Sequence, residues 1–228
     1  MLPGLWAVAS GDVVSPYDAG VESGWMTRDE AWAVLTEHTS NPNLLKHMLG
    51  VEAVMRAYAR RFGEDEERWG VVGLLHDMDY ERFPSREAGH PFKGVEVLRG
   101  LGVDESVCRA ILSHADYSGV SRETLIEKAL FAADELSGFV IAVALVKPNR
   151  ALAEVDVASV RKKMKDKAFA RGVRRDDIVD GAAALDVPLD EHIASVIEAL
   201  RGIAGELGLD GPSEPAGHGR RSGEAKGS

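Results

Sequence analysis

What the chain lacks narrows it first. A single cysteine, Cys108, in 228 residues excludes an intrachain disulfide and a thiolate cage for a metal, and it fits a reducing cytosol, so a cytoplasmic location is expected. No run approaches the roughly 18 apolar residues of a membrane span. Positive charge is also short. Lys and Arg number 27 against 37 Asp and Glu, a formal net charge of −10. Nucleic acid or an anionic membrane would repel such a chain at long range, so neither general nucleic-acid binding nor membrane binding is expected. Convincing strand-like alternation is missing, as are an internal repeat, a Gly-rich phosphate loop and a Ser-based nucleophile elbow. What is present, 45% hydrophobic and 28% charged residues, is the composition of one ordinary globular domain with a substantial core.

The two ends read differently from the middle. Residues 1–25 form a weakly structured extension rich in Gly, Ser, Asp and Pro. Ala7-Val8-Ala9 loosely resembles a signal cleavage site, but the apolar stretch around it is short and no Lys or Arg precedes it. Met26 then stands before Thr27-Arg28-Asp29-Glu30, a capping box in which the Thr hydroxyl and the Glu carboxylate satisfy first-turn amides, so the folded chain is expected to start there. The domain spans 26–208. The tail, 209–228, is polar and Gly-rich and cannot bury a core, which predicts disorder.

Between the ends every segment reads as helix, so the expected fold class is all-α. Thr27 to about Thr39 is the first helix, and Asn41-Pro42 opens a second that runs to Phe62, Asn as cap and Pro in the first turn. Its apolar stripe is Leu44, Met48, Val51, Val54, Met55 and Tyr58, and His47 falls on it, three after Leu44 and four before Val51. A third helix, Glu64 to Asp77, ends where the apolar run WGVVGLL stops at His76-Asp77. His90-Pro91 precedes a fourth that reaches about Gly100, because proline biases its predecessor away from helix. In the fifth, Asp104 to about Tyr117, Val107, Ile111 and His114 share one stripe. Ser121 is expected to cap a long sixth helix toward Val146, with Asp134 eight residues after Ile126 and four after Leu130 on its apolar face. No Lys or Arg lies three or four residues from Asp134, so that carboxylate needs a distant partner. Asp156 caps a seventh helix with Val157, Val160, Met164 and Ala168 on one face, and about Asp176 to Leu185 and Leu189 to Leu207 complete the set.

Periodicity therefore turns His47, His76, Asp77, His90, His114 and Asp134 inward. Neutral imidazoles and ionised carboxylates are ligands that borderline and hard divalent ions accept, and several converging in one core point to a metal-centred bundle. A core holding four histidines and two aspartates without metal would have more polar groups than it can satisfy. Six ligands exceed what one ion takes with room left for water and substrate, so two ions sharing a carboxylate is the economical arrangement. His38, near a helix C-terminus, and His192, in the last helix, read as structural, and His218 lies in the tail.

His47, His76-Asp77 and Asp134, each on its own helix and in this order, resemble the H…HD…D signature of the HD superfamily of metal-dependent phosphohydrolases. The intervening His90 and His114 resemble the extra ligands of its binuclear members. The likeness covers about Thr27 to Val146, with a looser one to uncharacterised predicted hydrolases beyond it. The HDIG form of the motif is here His76-Asp77-Met78-Asp79, without the glycine, and the GYP element of cyclic-di-GMP phosphodiesterases is absent.

The resemblance implies that His47, His76, Asp77 and Asp134 hold one ion, while Asp77, the central catalytic residue, bridges to a second held by His90 and His114. It further implies hydrolysis of a phosphate ester or anhydride, of a nucleotide or another small phosphorylated metabolite, by water activated on Mn, Fe, Co, Ni, Zn or Mg. Arg86, Lys93 and Arg171 are candidates to meet the substrate phosphate, Arg171 as part of a basic run from Arg161 to Arg175 that otherwise reads as a solvated helix face. Two other readings stand beside this one. A di-iron oxygenase would show iron, an oxidised-iron absorption band and O₂-dependent turnover. A non-catalytic nucleotide-sensing domain would bind without turnover.

Overall fold

The computed structural model describes residues 25–212; the expectations for the extension before residue 25 and for the tail from 213 onward lie outside the described residues. Among the described residues there are ten α-helices, two short 3-10 turns and no strand, so the fold is all-α. The only sheet-like pairing there is an isolated bridge between Ala151 and Asp210. The expected boundary at residue 209 falls inside the packed chain. Leu209 is buried, and its carbonyl accepts the Leu152 N–H at 2.8 Å.

Two 21-residue helices form the spine, α2 (Pro42–Phe62) and α6 (Leu125–Leu145). Asn41 caps α2 from its side chain, Pro42 occupies the first turn, and Gly63 ends it in a left-handed conformation that glycine reaches without a Cβ penalty. The expected stripe of α2 packs inward, with Met48, Val51, Val54, Met55 and Tyr58 all buried. Against it lies α3 (Glu66–Leu75), buried over its whole last two turns, and on α3 packs α1 (Arg28–His38), held by the Thr27–Glu30 capping box. A short α4 (Phe92–Gly100) leads to α5 (Glu105–His114), which packs on α6. The far side of α6 is covered by α7 (Val157–Met164), α8 (Arg175–Ala184) and α9 (Leu189–Arg201), with a one-turn α10 (Ala204–Leu207) at the end.

Several expected boundaries shift, each for a local reason. α6 starts after Thr124 rather than Ser121, because the buried Glu127 carboxylate accepts the N–H groups of Glu123 and Thr124 and fixes the first turn there. α3 stops at Leu75, so His76 and Asp77 sit in the turn that follows rather than on its last turn. α5 stops at His114 and gives way to a 3-10 turn at Asp116–Ser118. Ala168 is not on α7, which ends at Met164, and the last helix breaks at Gly202.

One glycine seats α8 on α6. A Cβ at Gly181 would lie 2.7 Å from the Ala132 Cα, a backbone contact that cannot swing aside. Alanine is worth up to about 1 kcal/mol over glycine in an open helix. Here the sign reverses: Gly181→Ala should cost about 1–3 kcal/mol, as overpacking of a core does. Denaturant unfolding of the two proteins measures it, and an unchanged or raised midpoint would contradict the close approach.

His192 is a core residue, as its position in α9 predicts. Its ring is fully buried, the Tyr58 hydroxyl donates to Nδ1, and Nε2–H donates to the Ala132 carbonyl at 3.0 Å. Burial, reinforced by Arg61, lowers its pKa to about 4 despite the Ala132 bond. A histidine whose folded pKa is depressed contributes stability that is complete above its unfolded value near 6.5 and is lost as pH falls toward 4. The shift corresponds to roughly 3 kcal/mol. Urea midpoints should therefore drop between pH 7 and pH 4.5, and His192→Gln should flatten that drop; an equal drop in the variant would locate the acid sensitivity elsewhere.

Candidate metal centre

Five segments meet beside the spine. α2 supplies His47, the turn after α3 supplies His76 and Asp77, the turn before α4 supplies His90, the last residue of α5 is His114, and α6 contributes Asp134. The six side chains expected to converge do so around Asp77. Its two carboxylate oxygens face different partners. Oδ2 lies 3.8 Å from His47 Nε2 and 3.6 Å from His76 Nε2, while Oδ1 lies 3.3 Å from His90 Nε2 and 3.4 Å from His114 Nε2. Asp134 closes the first side, its Oδ1 at 3.1 Å from His47 Nε2 and 3.5 Å from His76 Nε2. Two groups of donors thus share one aspartate: His47, His76 and Asp77 on one side, and Asp77, His90 and His114 on the other.

The tautomers decide what this cluster can bind. His76 Nδ1 is 2.8 Å from the Gly73 carbonyl, and His114 Nδ1 hydrogen-bonds to the Ile111 carbonyl, each three residues back on its own helix. A carbonyl only accepts, so both rings, when neutral, carry their proton on Nδ1 and present an Nε2 lone pair inward. His90 Nδ1 is likewise occupied, by Asp79 at 2.7 Å. Three imidazole nitrogens and two carboxylates then face one another, and among the described residues His76 Nε2 is buried without a hydrogen-bond partner. Such a buried polar atom is costly unless a cation fills the gap. The donor set of imidazole nitrogens and carboxylate oxygens, without sulfur, fits a borderline or hard divalent ion.

The electrostatics agree. Burial alone would lower the His76 pKa, but the Asp77 and Asp134 carboxylates more than reverse it and push it up to about 9. Burial would raise Asp77 and Asp134, yet the neighbouring imidazoles hold both well below the ordinary carboxylate range. The site pulls in positive charge, and in the ion-free state a proton on His76 supplies it.

The cluster forms the floor of a cavity of about 650 Å³. Tyr80, Arg86, Tyr117, Glu135, Arg174 and Asp177 also line it. Of the three cations expected to reach a phosphate, only Arg86 lines the cavity. Lys93 lies outside it, its ammonium 2.7 Å from Glu96, and Arg171 is exposed and away from it. Arg174, three residues further on, takes the place expected of Arg171. It caps the start of α8 and is held at 2.9 Å by Asp116 and at 3.1 Å by Asp177. Two other members of the basic run are spent elsewhere: Arg161 faces Asp190, and Arg175 caps the carbonyls of Phe169, Ala170 and Val173.

Sequence reasoning passed over two carboxylates here. Glu135, half-buried beside Asp134, has its pKa raised to about 7, chiefly by burial and then by Asp134. Asp79, buried, bonds both His90 and the Gly94 amide. Its signal was the motif itself, where Asp stands in the fourth position.

Comparison with known proteins places this site in context. A family model described as HD domain matches residues 44–138, a span that contains all six converging residues. Ribonuclease Y of Mesoplasma florum is 30% identical over 95 residues, 42% of this chain and 18% of that protein. Ribonuclease Y of Oleidesulfovibrio alaskensis is 29% identical over 96 residues, again 42% and 18%. The chain therefore spans about a fifth of the length of the curated relatives it matches. No solved structure matches. No helix among the described residues is long and apolar enough to cross a membrane.

Proposed function

From a chain that carries an HD domain across residues 44–138, we propose a metal-dependent phosphohydrolase that cleaves a phosphate ester or anhydride of a nucleotide or another small phosphorylated metabolite. The observation that carries this is the inward array of Nε2 atoms around the split carboxylate of Asp77, with His76 Nε2 left without a partner among the described residues. His47, His76, Asp77 and Asp134 would hold one ion, and Asp77, His90 and His114 a second. Bound ions supply Lewis acidity, lowering the pKa of water toward about 7 and neutralising charge on a phosphoryl group.

The chain's own residues do the rest. Asp77 and Asp134 keep the floor of the cavity anionic, so that two divalent ions bring it to a net positive charge that favours a phosphate. Arg86 and Arg174 stand at the rim, where guanidinium groups can hydrogen-bond phosphate oxygens. Tyr80 and Tyr117, each more than a third exposed, present apolar ring surface to whatever the phosphate is attached to. The rim also carries Glu87, Asp116, Glu135 and Asp177, and with a net charge of −10 it favours a small substrate over a long polyanion, although the matched relatives are named as ribonucleases.

Metal analysis of protein purified without chelator, followed by turnover of mono- and dinucleotides, phosphomonoesters and an RNA oligonucleotide with each of Mn, Fe, Co, Ni, Zn and Mg, tests the reading. About two ions per chain and release of phosphate from a small substrate are expected. O₂-dependent turnover with iron would replace the proposal by an oxygenase, and ligand binding without turnover under any ion would replace it by a sensing domain.

A further inference from the structure

The three histidines whose tautomers are fixed do not share one device. His76 and His114 each spend Nδ1–H on a carbonyl of their own helix, so their orientation comes with the helix. His90 lies in the turn before α4, and its Nδ1 partner is a side chain, Asp79, whose Oδ1 is 2.7 Å away. The other oxygen of Asp79 accepts the Gly94 N–H at 2.7 Å in the first turn of α4. Asp79 is 1% exposed, and among the described residues its only ion-pair partner is His90.

A buried carboxylate with no Lys or Arg beside it is expensive, and its two oxygens are both committed. The chain has also made room for it. A Cβ at residue 94 would sit 3.2 Å from Asp79 Cγ and 3.3 Å from Oδ2, so glycine there lets the carboxylate reach the amide. Asp79 has no positive φ, so the turn after His76-Asp77 does not call for the glycine that the HDIG form of the motif places at this position.

We propose that Asp79 is the positioning residue of the second metal site, holding His90 as the Nδ1-protonated tautomer so that its Nε2 lone pair is turned toward Asp77 and His114. The assignment builds on the metal-site reading above. A carboxylate bound to the far nitrogen of a ligating imidazole fixes the ring and raises its basicity, and loss of such a partner typically weakens metal binding by about 10- to 100-fold. Asn at 79 cannot replace it. The two donors are met by different oxygens of Asp79, and Asn has an oxygen at only one of those positions; an amide NH₂ turned toward His90 forces the ring proton onto Nε2, where it occupies the ligand position.

Mn²⁺ titration of chelator-stripped wild type, Asp79→Asn and Gly94→Ala, with helicity checked by circular dichroism, is the test. Wild type should bind two ions. Asp79→Asn should keep one at wild-type affinity and weaken the other by about 10- to 100-fold, and Gly94→Ala should weaken the same one less. Wild-type affinity at both sites in Asp79→Asn, or equal weakening of both, overturns the assignment; a wild type that binds no ion overturns instead the metal-site reading on which it stands. A second measurement needs neither metal nor a folded variant. Long-range ¹H–¹⁵N spectra of ¹⁵N-histidine wild type should show His90 protonated at Nδ1, and a bare Nδ1 there overturns the proposal.

Discussion

Asp77→Ala should abolish both turnover and metal binding while leaving the helices in place. Among the described residues no other side chain contributes to both donor groups, and its two oxygens face different partners, Oδ2 toward His47 and His76 and Oδ1 toward His90 and His114. Alanine removes the shared ligand, so neither site retains a full set. Turnover should fall by about 10³-fold or more, equivalent to at least about 4 kcal/mol of transition-state stabilisation, and bound metal should fall from about two ions to less than one. The fold should survive. Asp77 lies in a turn beyond the end of α3, and it takes no part in the buried apolar cluster that holds α2, α3 and α6 together. Circular dichroism, elemental analysis and phosphate release on one preparation decide it, and wild-type turnover by the variant would remove Asp77 from the centre of the site.

How much of this site was legible in the sequence depends on where each residue sits. His47 and His114 lie within helices, where a repeat of 3.6 residues states which way a side chain faces, and both are found on the face expected. Asp134 announced itself by the lack of any local cation, and its partners proved to be imidazoles from α2 and from the turn after α3. Of the two misplaced cations, one came from a segment without a period. Arg171 belongs to the basic run from Arg161 to Arg175, which reads in the sequence as one continuing helix face. The chain leaves α7 at Met164 and passes through a positive φ at Ala170, so spacing there predicts nothing, and Arg174 at the start of α8 reaches the cavity instead. Lys93 is on α4, but it turns to Glu96 one turn along. Asp79 was hidden for the same reason as Arg174. It belongs to a turn, and only the fold brings His90 and Gly94 to it.

Removing the metal should leave a protein whose stability depends on pH in a way that adding metal erases. In the ion-free state the carboxylates of Asp77 and Asp134 overcome the effect of burial and raise His76 to about 9. A histidine whose folded pKa lies above its unfolded value near 6.5 contributes stability that is complete below 6.5 and is lost as pH rises through 9. The full contribution is about 3 kcal/mol. A divalent ion competes with that proton for His76 Nε2, so metal binding should release protons and tighten by up to about tenfold per pH unit between 6.5 and 9. At about 100 times its dissociation constant one ion adds about 2.7 kcal/mol, which for a chain of this size is a rise of about 5–10 °C in Tm. Melts of chelator-treated protein at pH 7 and pH 9, with and without Mn²⁺, should therefore show Tm falling with pH in the absence of the ion and a larger metal-induced rise at pH 9. The same Tm with and without every one of Mn, Fe, Co, Ni, Zn and Mg would mean that the orphaned nitrogen of His76 is satisfied by its proton alone and that the cluster is a buried charge network rather than a metal centre.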